Sequence, residues 1–134
     1  MLCYIGYSSL QPHFIFKRVN NILKPPKTVN INWLNESLIL NKDASESARV
    51  FAPKIQGTIN LDRASKEADL DFFVCFSSLA SVTGNAGLSD YAYANAFLYR
   101  YMFQREGMVA QGLRRGKSLS INWPLWRDGG MQLD

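Results

Sequence analysis

Three side chains in the middle of the chain have the types and spacing for carbonyl chemistry: Ser78, Tyr91 and Asn95. Tyr91 and Asn95 are one helical turn apart, so on a helix they share a face. Ser78 follows the apolar run Asp71-Phe72-Phe73-Val74-Cys75-Phe76, which reads as a strand buried on both faces. In open α/β sheets, ligands bind beyond the C-terminal ends of the strands. A serine and a tyrosine meeting there can each hydrogen-bond one carbonyl oxygen. A phenol, ordinarily titrating near ~10, serves as general acid when a neighbouring cation makes its proton easier to give up. Taken singly, each residue has a plainer explanation. A tyrosine on an apolar helix is usually core, and Tyr93, Tyr99 and Tyr101 are read that way; a serine pair after a strand is usually a turn.

The elements around these residues have local signals. Asp43-Ala44-Ser45-Glu46 is a helix start, with Asp43 as N-cap and Glu46 at the capping-box position. Val50, Ile55, Ile59 and Leu61 carry that helix to about Ala68, with Pro53 as a site for a kink. A loop containing Gly84 and Gly87 leads to a second helix from Ser89 to Glu106. It is apolar nearly all round until Arg100, which predicts burial, and Gly107 is expected to end it. The alternating segments 28–33 and 117–123 read as strands, the latter closed by Pro124. The order strand, helix, strand, helix, strand predicts an α/β fold with a parallel sheet.

Composition sets the outer bounds. The chain has 134 residues, 47% hydrophobic and 19% charged, which fits one folded domain and excludes a disordered chain. No apolar run is long enough to span a bilayer, so no membrane partner is expected. Met1 to Leu10 carries no basic residue before its apolar stretch and does not read as a signal peptide. Two cysteines, Cys3 and Cys75, and one histidine, His13, give neither a disulfide framework nor a metal cluster. Cys75 is expected to be a buried, reduced thiol, and the cytoplasm is the expected compartment. The net charge of +4 comes from Lys17, Arg18, Lys24 and Lys27 in a stretch without acids. Residues 1–28, broken by Pro25-Pro26, are read as a separate basic leader, and 29–134 as the domain proper. A nucleic-acid surface would need aromatic or helical organisation around that charge, and none is legible; no nucleic-acid partner is expected.

Several stretches, taken together, resemble a known family. They are Phe76-Ser77-Ser78-Leu79-Ala80, Gly84-Asn85-Ala86-Gly87 and Asp90-Tyr91-Ala92-Tyr93-Ala94-Asn95-Ala96-Phe97-Leu98. Ala52-Pro53-Lys54 with Gly57-Thr58, and Ser120-Ile121-Asn122-Trp123-Pro124-Leu125-Trp126 with Gly129-Gly130-Met131, complete the set. Over roughly residues 34–134 the sequence is similar to the ketoreductase domains of modular polyketide synthases, within the short-chain dehydrogenase/reductase superfamily. The last-strand wording looks most like synthases that use a separate acyltransferase. Ordinary short-chain dehydrogenases place a lysine one turn after the tyrosine. Here that position is Asn95, and the lysine comes from the earlier helix as Lys54, which is the polyketide pattern.

The resemblance implies roles. NADPH would be the cofactor, and an acyl carrier protein-bound β-ketoacyl thioester the substrate. Tyr91 would protonate the carbonyl oxygen as hydride reaches the β-carbon, and Ser78 would hydrogen-bond that oxygen. Lys54 would act on the tyrosine by its charge and hold the nicotinamide ribose, and Asn95 would order a water for the proton relay. Pro124 and Leu125 would lie near the nicotinamide, and Met131 would begin the substrate lid. One stereochemical type carries a tryptophan where this chain has Thr83. The other carries Leu-Asp-Asp where this chain has Leu34-Asn35-Glu36, so Glu36 keeps the charge and the resemblance leans to the D-configured alcohol. Leu88 stands where the family usually has glutamine.

The phosphate-binding turn has no counterpart. No Gly-x-Gly-x-x-Gly occurs in the chain, and the leader is too short to be the first half of a dinucleotide fold. The expected architecture is therefore a partial Rossmann-like (doubly wound) sheet of about three strands with two long helices, lacking its N-terminal dinucleotide-binding half. Right-handed crossovers place both helices on one face and leave the other without cover. The chain is then a truncated gene product, a cut domain boundary, one piece of a split reductase completed by an N-terminal partner half, or an inactive remnant that keeps the motifs by descent.

Overall fold

Asp43 starts the first helix as its type requires: its Oδ1 accepts the Ser45 amide at 2.7 Å, satisfying one of the helix's orphan N–H groups. In the computed structural model, which describes residues 3–6 and 37–124, helix α1 follows over Ala44–Phe51. Pro53 has no N–H to donate and its ring crowds the turn before it. The chain absorbs it as a π turn over Ala52–Gln56, in which the Gly57 N–H reaches back to the Ala52 carbonyl. Helix α2 then spans Gly57–Ala64, short of Ala68, and Ser65 closes it with its amide and hydroxyl on the Leu61 carbonyl.

The π turn decides which residues face inward. Val50, Lys54, Thr58 and Asp62 are all buried. A spacing of four overshoots an α-helical turn by about 40° at each step. The wider π turn takes up part of that drift and keeps the stripe on one side. Of the apolar positions expected to pack, Val50 is buried, while Ile55, Ile59 and Leu61 are half-buried.

Strand β2, Phe72–Ser78, runs parallel to β3, Lys117–Trp123, in a register from Phe72 opposite Lys117 to Ser78 opposite Trp123. On its other edge β2 pairs antiparallel with β1, Cys3–Gly6, so β2 is central. The third strand of the described sheet thus comes from the N-terminal residues Cys3–Gly6 and runs antiparallel, which needs no crossover helix. The alternating segment 28–33 lies outside the described residues. Between β2 and β3 the chain forms a short helix α3, Ala80–Thr83, and a long one, α4, Ser89–Ala110.

Helix α4 packs on β2 and β3, and α1 and the π turn pack on α4. The core between them holds Leu70, Phe73, Cys75, Leu98 and Met102. Phe73, Cys75 and Ser77 are buried on the helix side, whereas Phe72, Val74 and Phe76 are half-buried on the other. On that second face Leu119 and Trp123 are exposed, and the Trp123 ring lies 5.6 Å from that of Phe76. The run read as buried on both faces is therefore fully covered on one.

Two expectations about α4 are corrected. It continues through Gly107, where a side chain would meet open space, and ends near Gly112, whose φ of +72° suits the turn out of a helix. Tyr93 and Tyr99 are exposed rather than core, together with Phe103, because among the described residues α4 has cover on one side only. Gly116 enters β3 at φ +78°, and a Cβ there would sit 2.8 Å from Leu70 Cβ and 2.9 Å from the Leu70 carbonyl. Gly116→Ala is expected to lower unfolding free energy by about 2–3 kcal/mol. Urea unfolding measures it, and an unchanged midpoint would refute the close approach.

Candidate active site

Lys54, carried inward by the π turn, is buried, and its Nζ donates to Asn95 Oδ1 at 3.1 Å. The same ammonium lies 5.2 Å from the centre of the Tyr91 ring, within cation–π range. A lysine this far from water requires such partners. Asn95, fully buried one turn along α4, is the joint of the cluster. Its Nδ2 donates to the Tyr91 carbonyl at 2.8 Å, and its own carbonyl accepts the Ser77 hydroxyl at 2.9 Å. One asparagine thus links the lysine, the first turn of α4 and the end of β2.

Lys54, Tyr91 and Asn95 are brought together as a cluster. Ser78, at the C-terminal end of β2, instead uses its Oγ to accept the Ala80 amide at 3.2 Å, capping the turn into α3. Thr83 is exposed and donates its hydroxyl to the Leu79 and Gly84 carbonyls. Leu88 is buried as the residue before α4, and Pro124 is exposed just after β3. Glu36, Leu125 and Met131 lie outside the described residues.

Several supporting groups escaped the sequence reading. Ser77, paired in the sequence with Ser78, is the one that grips α4. Lys42 and Asp90 form an ion pair at 2.9 Å, with side chains 6% and 5% exposed. Asp62, on the same stripe as Lys54, receives Arg105 Nε at 2.7 Å, Arg114 Nε at 3.0 Å and the Tyr101 hydroxyl at 2.9 Å. Arg105 also donates to the Gly116 and Arg115 carbonyls and to Ser118 Oγ, and stacks 4.5 Å from the Phe73 ring. The only sequence signal was spacing: Lys54, Thr58 and Asp62 recur at intervals of four, which marks one helix face.

Burial, then the hydrogen bond to Asp62 and the charge of Asp62, push the Tyr101 phenol up from 10.0 to about 12, against the opposing pull of Arg114 and Arg105. An acid whose folded-state pKa is raised holds its proton while the unfolded chain loses it. Its contribution is whole below about pH 10 and is lost between about 10 and 12. Absorbance at alkaline pH is expected to show one phenol titrating late, absent in Tyr101→Phe; an unchanged titration curve in that variant would contradict it.

No helix among the described residues is long and apolar enough to cross a membrane. The parallel β2–α4–β3 unit, with its Lys–Asn–Tyr cluster at the start of α4, is of the short-chain dehydrogenase/reductase-like α/β class. Residues 31–128 match the KR domain family, and the chain belongs to it. It is 51% identical over 100 residues to the polyketide synthase ThaG of Burkholderia thailandensis, covering 75% of this chain and 2% of that one. It is 44% identical over 119 residues to the polyketide synthase PksN of Bacillus subtilis, covering 89% of this chain and 2% of that one. Among solved structures, a ketoreductase domain from the bacillaene assembly line superposes with a TM-score of 0.70 at 42% identity, over 73% of this chain and 24% of the other. An N-terminal ketoreductase from the macrolactin assembly line gives 0.63 at 47% identity, over 70% and 19%. The chain is thus a polyketide synthase ketoreductase sequence that spans about 2% of the length of those curated relatives.

Proposed function

We propose that this chain carries the catalytic half of an NADPH-dependent ketoreductase, which reduces a β-ketoacyl thioester on an acyl carrier protein to the D-configured β-hydroxy product in the cytoplasm. The observation that carries the reading is the buried Lys54 ammonium, 3.1 Å from Asn95 Oδ1 and 5.2 Å from the Tyr91 ring. A buried cation beside a phenol at the C-terminal ends of parallel strands is the arrangement proton donation to a carbonyl needs.

The donor set fits the nicotinamide-ribose end of the cofactor, with Lys54 and Tyr91 as the residues that would hold it and Pro124 and Leu125 beside it. Asn122 Oδ1, near the end of β3, is buried without a hydrogen-bond partner among the described residues and offers a further acceptor. When bound, the nicotinamide would be the source of the hydride for the β-carbon. Tyr91 gives its proton to the carbonyl oxygen. Ser78 Oγ accepts from Ala80, which leaves its O–H to donate to the same oxygen. Lys54 favours proton transfer by its charge, and Asn95 holds that lysine in place and orders the relay water. Met131 would begin the substrate lid, with Glu36, Thr83 and Leu88 acting on substrate orientation.

The phosphates find no such fit, since the sequence has no Gly-rich turn. A separate nucleotide-binding half would supply it and would also cover the face that exposes Leu119 and Trp123. The same missing turn favours a second reading, an inactive remnant with no cofactor binding of its own.

NADPH titration against the three tryptophans separates these readings. The chain alone is expected to show no saturable quenching and no turnover of a β-ketoacyl thioester. Turnover once a nucleotide-binding half is supplied supports the reductase. Continued inactivity in a folded complex supports the remnant. Robust turnover by the chain alone would overturn the need for a second half.

A further inference from the structure

Two of the polar links among the described residues tie the start of α4 to the stretch from Lys42 to Lys54. One is the Lys54–Asn95 hydrogen bond. The other is the Lys42–Asp90 ion pair, which no step of the proposed chemistry uses. Lys42 directly precedes Asp43, the N-cap of α1, and Asp90 directly precedes Tyr91. Asp90 Oδ1 takes both the Lys42 ammonium and the Tyr91 backbone amide, each at 2.9 Å. One carboxylate oxygen therefore anchors the first turn of α4 and the start of α1. A carboxylate is well placed there, at the positive end of the α4 dipole.

The burial of this pair matters more than its length. An exposed pair would contribute little, but this one is almost wholly removed from water. Desolvation makes such pairs poor sources of net stability, and their best-attested use is to select one arrangement over others. Here the arrangement is the relative setting of two helices. Held only at Asn95 and, further along, by the Asp62 network, the first turn of α4 would be free to shift. A second link five residues earlier, about 7–8 Å along the axis at 1.5 Å per residue, removes that freedom. Asp90 Oδ2 has no hydrogen-bond partner among the described residues. Without Lys42 the carboxylate would turn toward water and draw the first turn of α4 with it.

We propose that Lys42 is a positioning residue, clamping Asp90 so that the first turn of α4 presents Tyr91 against Lys54. The catalytic consequence rests on the ketoreductase reading of Tyr91; the clamp itself does not.

The test compares Lys42→Met, the conservative Lys42→Arg, and Asp90→Asn, which keeps an oxygen for the Tyr91 amide but removes the charge. Amide hydrogen exchange in the 134-residue chain is expected to quicken by about tenfold or more at residues 91–95 in Lys42→Met and Asp90→Asn, with residues 103–110 unchanged and Lys42→Arg near the parent. Uniform acceleration along α4, or none at 91–95, overturns the clamp. In the reductase completed by a nucleotide-binding half, the same two variants are expected to lower kcat by about 10- to 100-fold with KM within about twofold. They are also expected to add nothing to the loss in a Tyr91→Phe background, and additive losses would reduce Lys42 to a general structural role. Should Tyr91→Phe leave turnover intact, the functional reading falls while the exchange result still decides the clamp.

Discussion

Tyr91→Phe is expected to lower β-ketoacyl thioester reduction by about 10²–10⁴-fold in the completed reductase, the range for loss of a positioned general acid. The change removes one oxygen. The ring stays beside Lys54, and the contacts that fix this turn run through the Tyr91 backbone, whose amide bonds Asp90 and whose carbonyl bonds Asn95. Stability should therefore stay within about 0.5 kcal/mol of the parent. A large rate loss at unchanged stability assigns proton delivery to the phenol. Unchanged turnover would remove Tyr91 from that role and leave the cluster as packing. The fall should appear in kcat and kcat/KM alike, because the lost interaction is made in the transition state.

The largest stability effect is expected at Asp62. Its carboxylate is fully buried and is shared by Arg105, itself buried, by Arg114 and by the Tyr101 hydroxyl. Asp62→Ala leaves the Arg105 charge in the interior without its counter-ion, a loss of about 3–5 kcal/mol. The other acceptors of Arg105, at Gly116, Arg115 and Ser118, hold the guanidinium but carry no full charge to balance it. The exposed Arg115–Asp69 pair is a built-in contrast, since breaking it should cost no more than about 1 kcal/mol. Urea unfolding of Asp62→Ala and Asp69→Asn measures both. A loss under about 1 kcal/mol at Asp62 would show that the network is not what ties α2 to the α4–β3 turn.

The two predictions concern different ends of the same helix. At its start, α4 carries Asp90, Tyr91 and Asn95 of the proposed site. Further along, Arg105 secures it against α2 and the entry to β3. Because Lys54 and Asp62 lie on one inward stripe across the π turn and α2, a change at Asp62 can disturb the site only through the packing of that stripe on α4. Asp62 variants should therefore lose stability well before they lose turnover per folded molecule.

Local signals were enough where the responsible force is local. Asp43 caps a helix because a short side chain can reach an amide two residues on. The runs ending at Phe76 and Trp123 are strands because their side chains suit a pleated, half-buried surface, and the family resemblance rests on motifs read directly from residue order. The end of α4 was misplaced at Gly107 because an exposed glycine inside a helix costs only about 1 kcal/mol, less than the packing of the turns around it. The resemblance pointed to Lys54 near Tyr91 and Asn95, but which polar groups actually pair was decided by the tertiary structure. Lys54 with Asn95, Lys42 with Asp90 and Asp62 with Arg105 each join segments some 40 or more residues apart. Periodicity marks a polar residue on a buried stripe as an error, not as half of a pair. It also could not show that Cys3–Gly6 would take the free edge of β2, since strand pairing is set by backbone groups that every sequence carries.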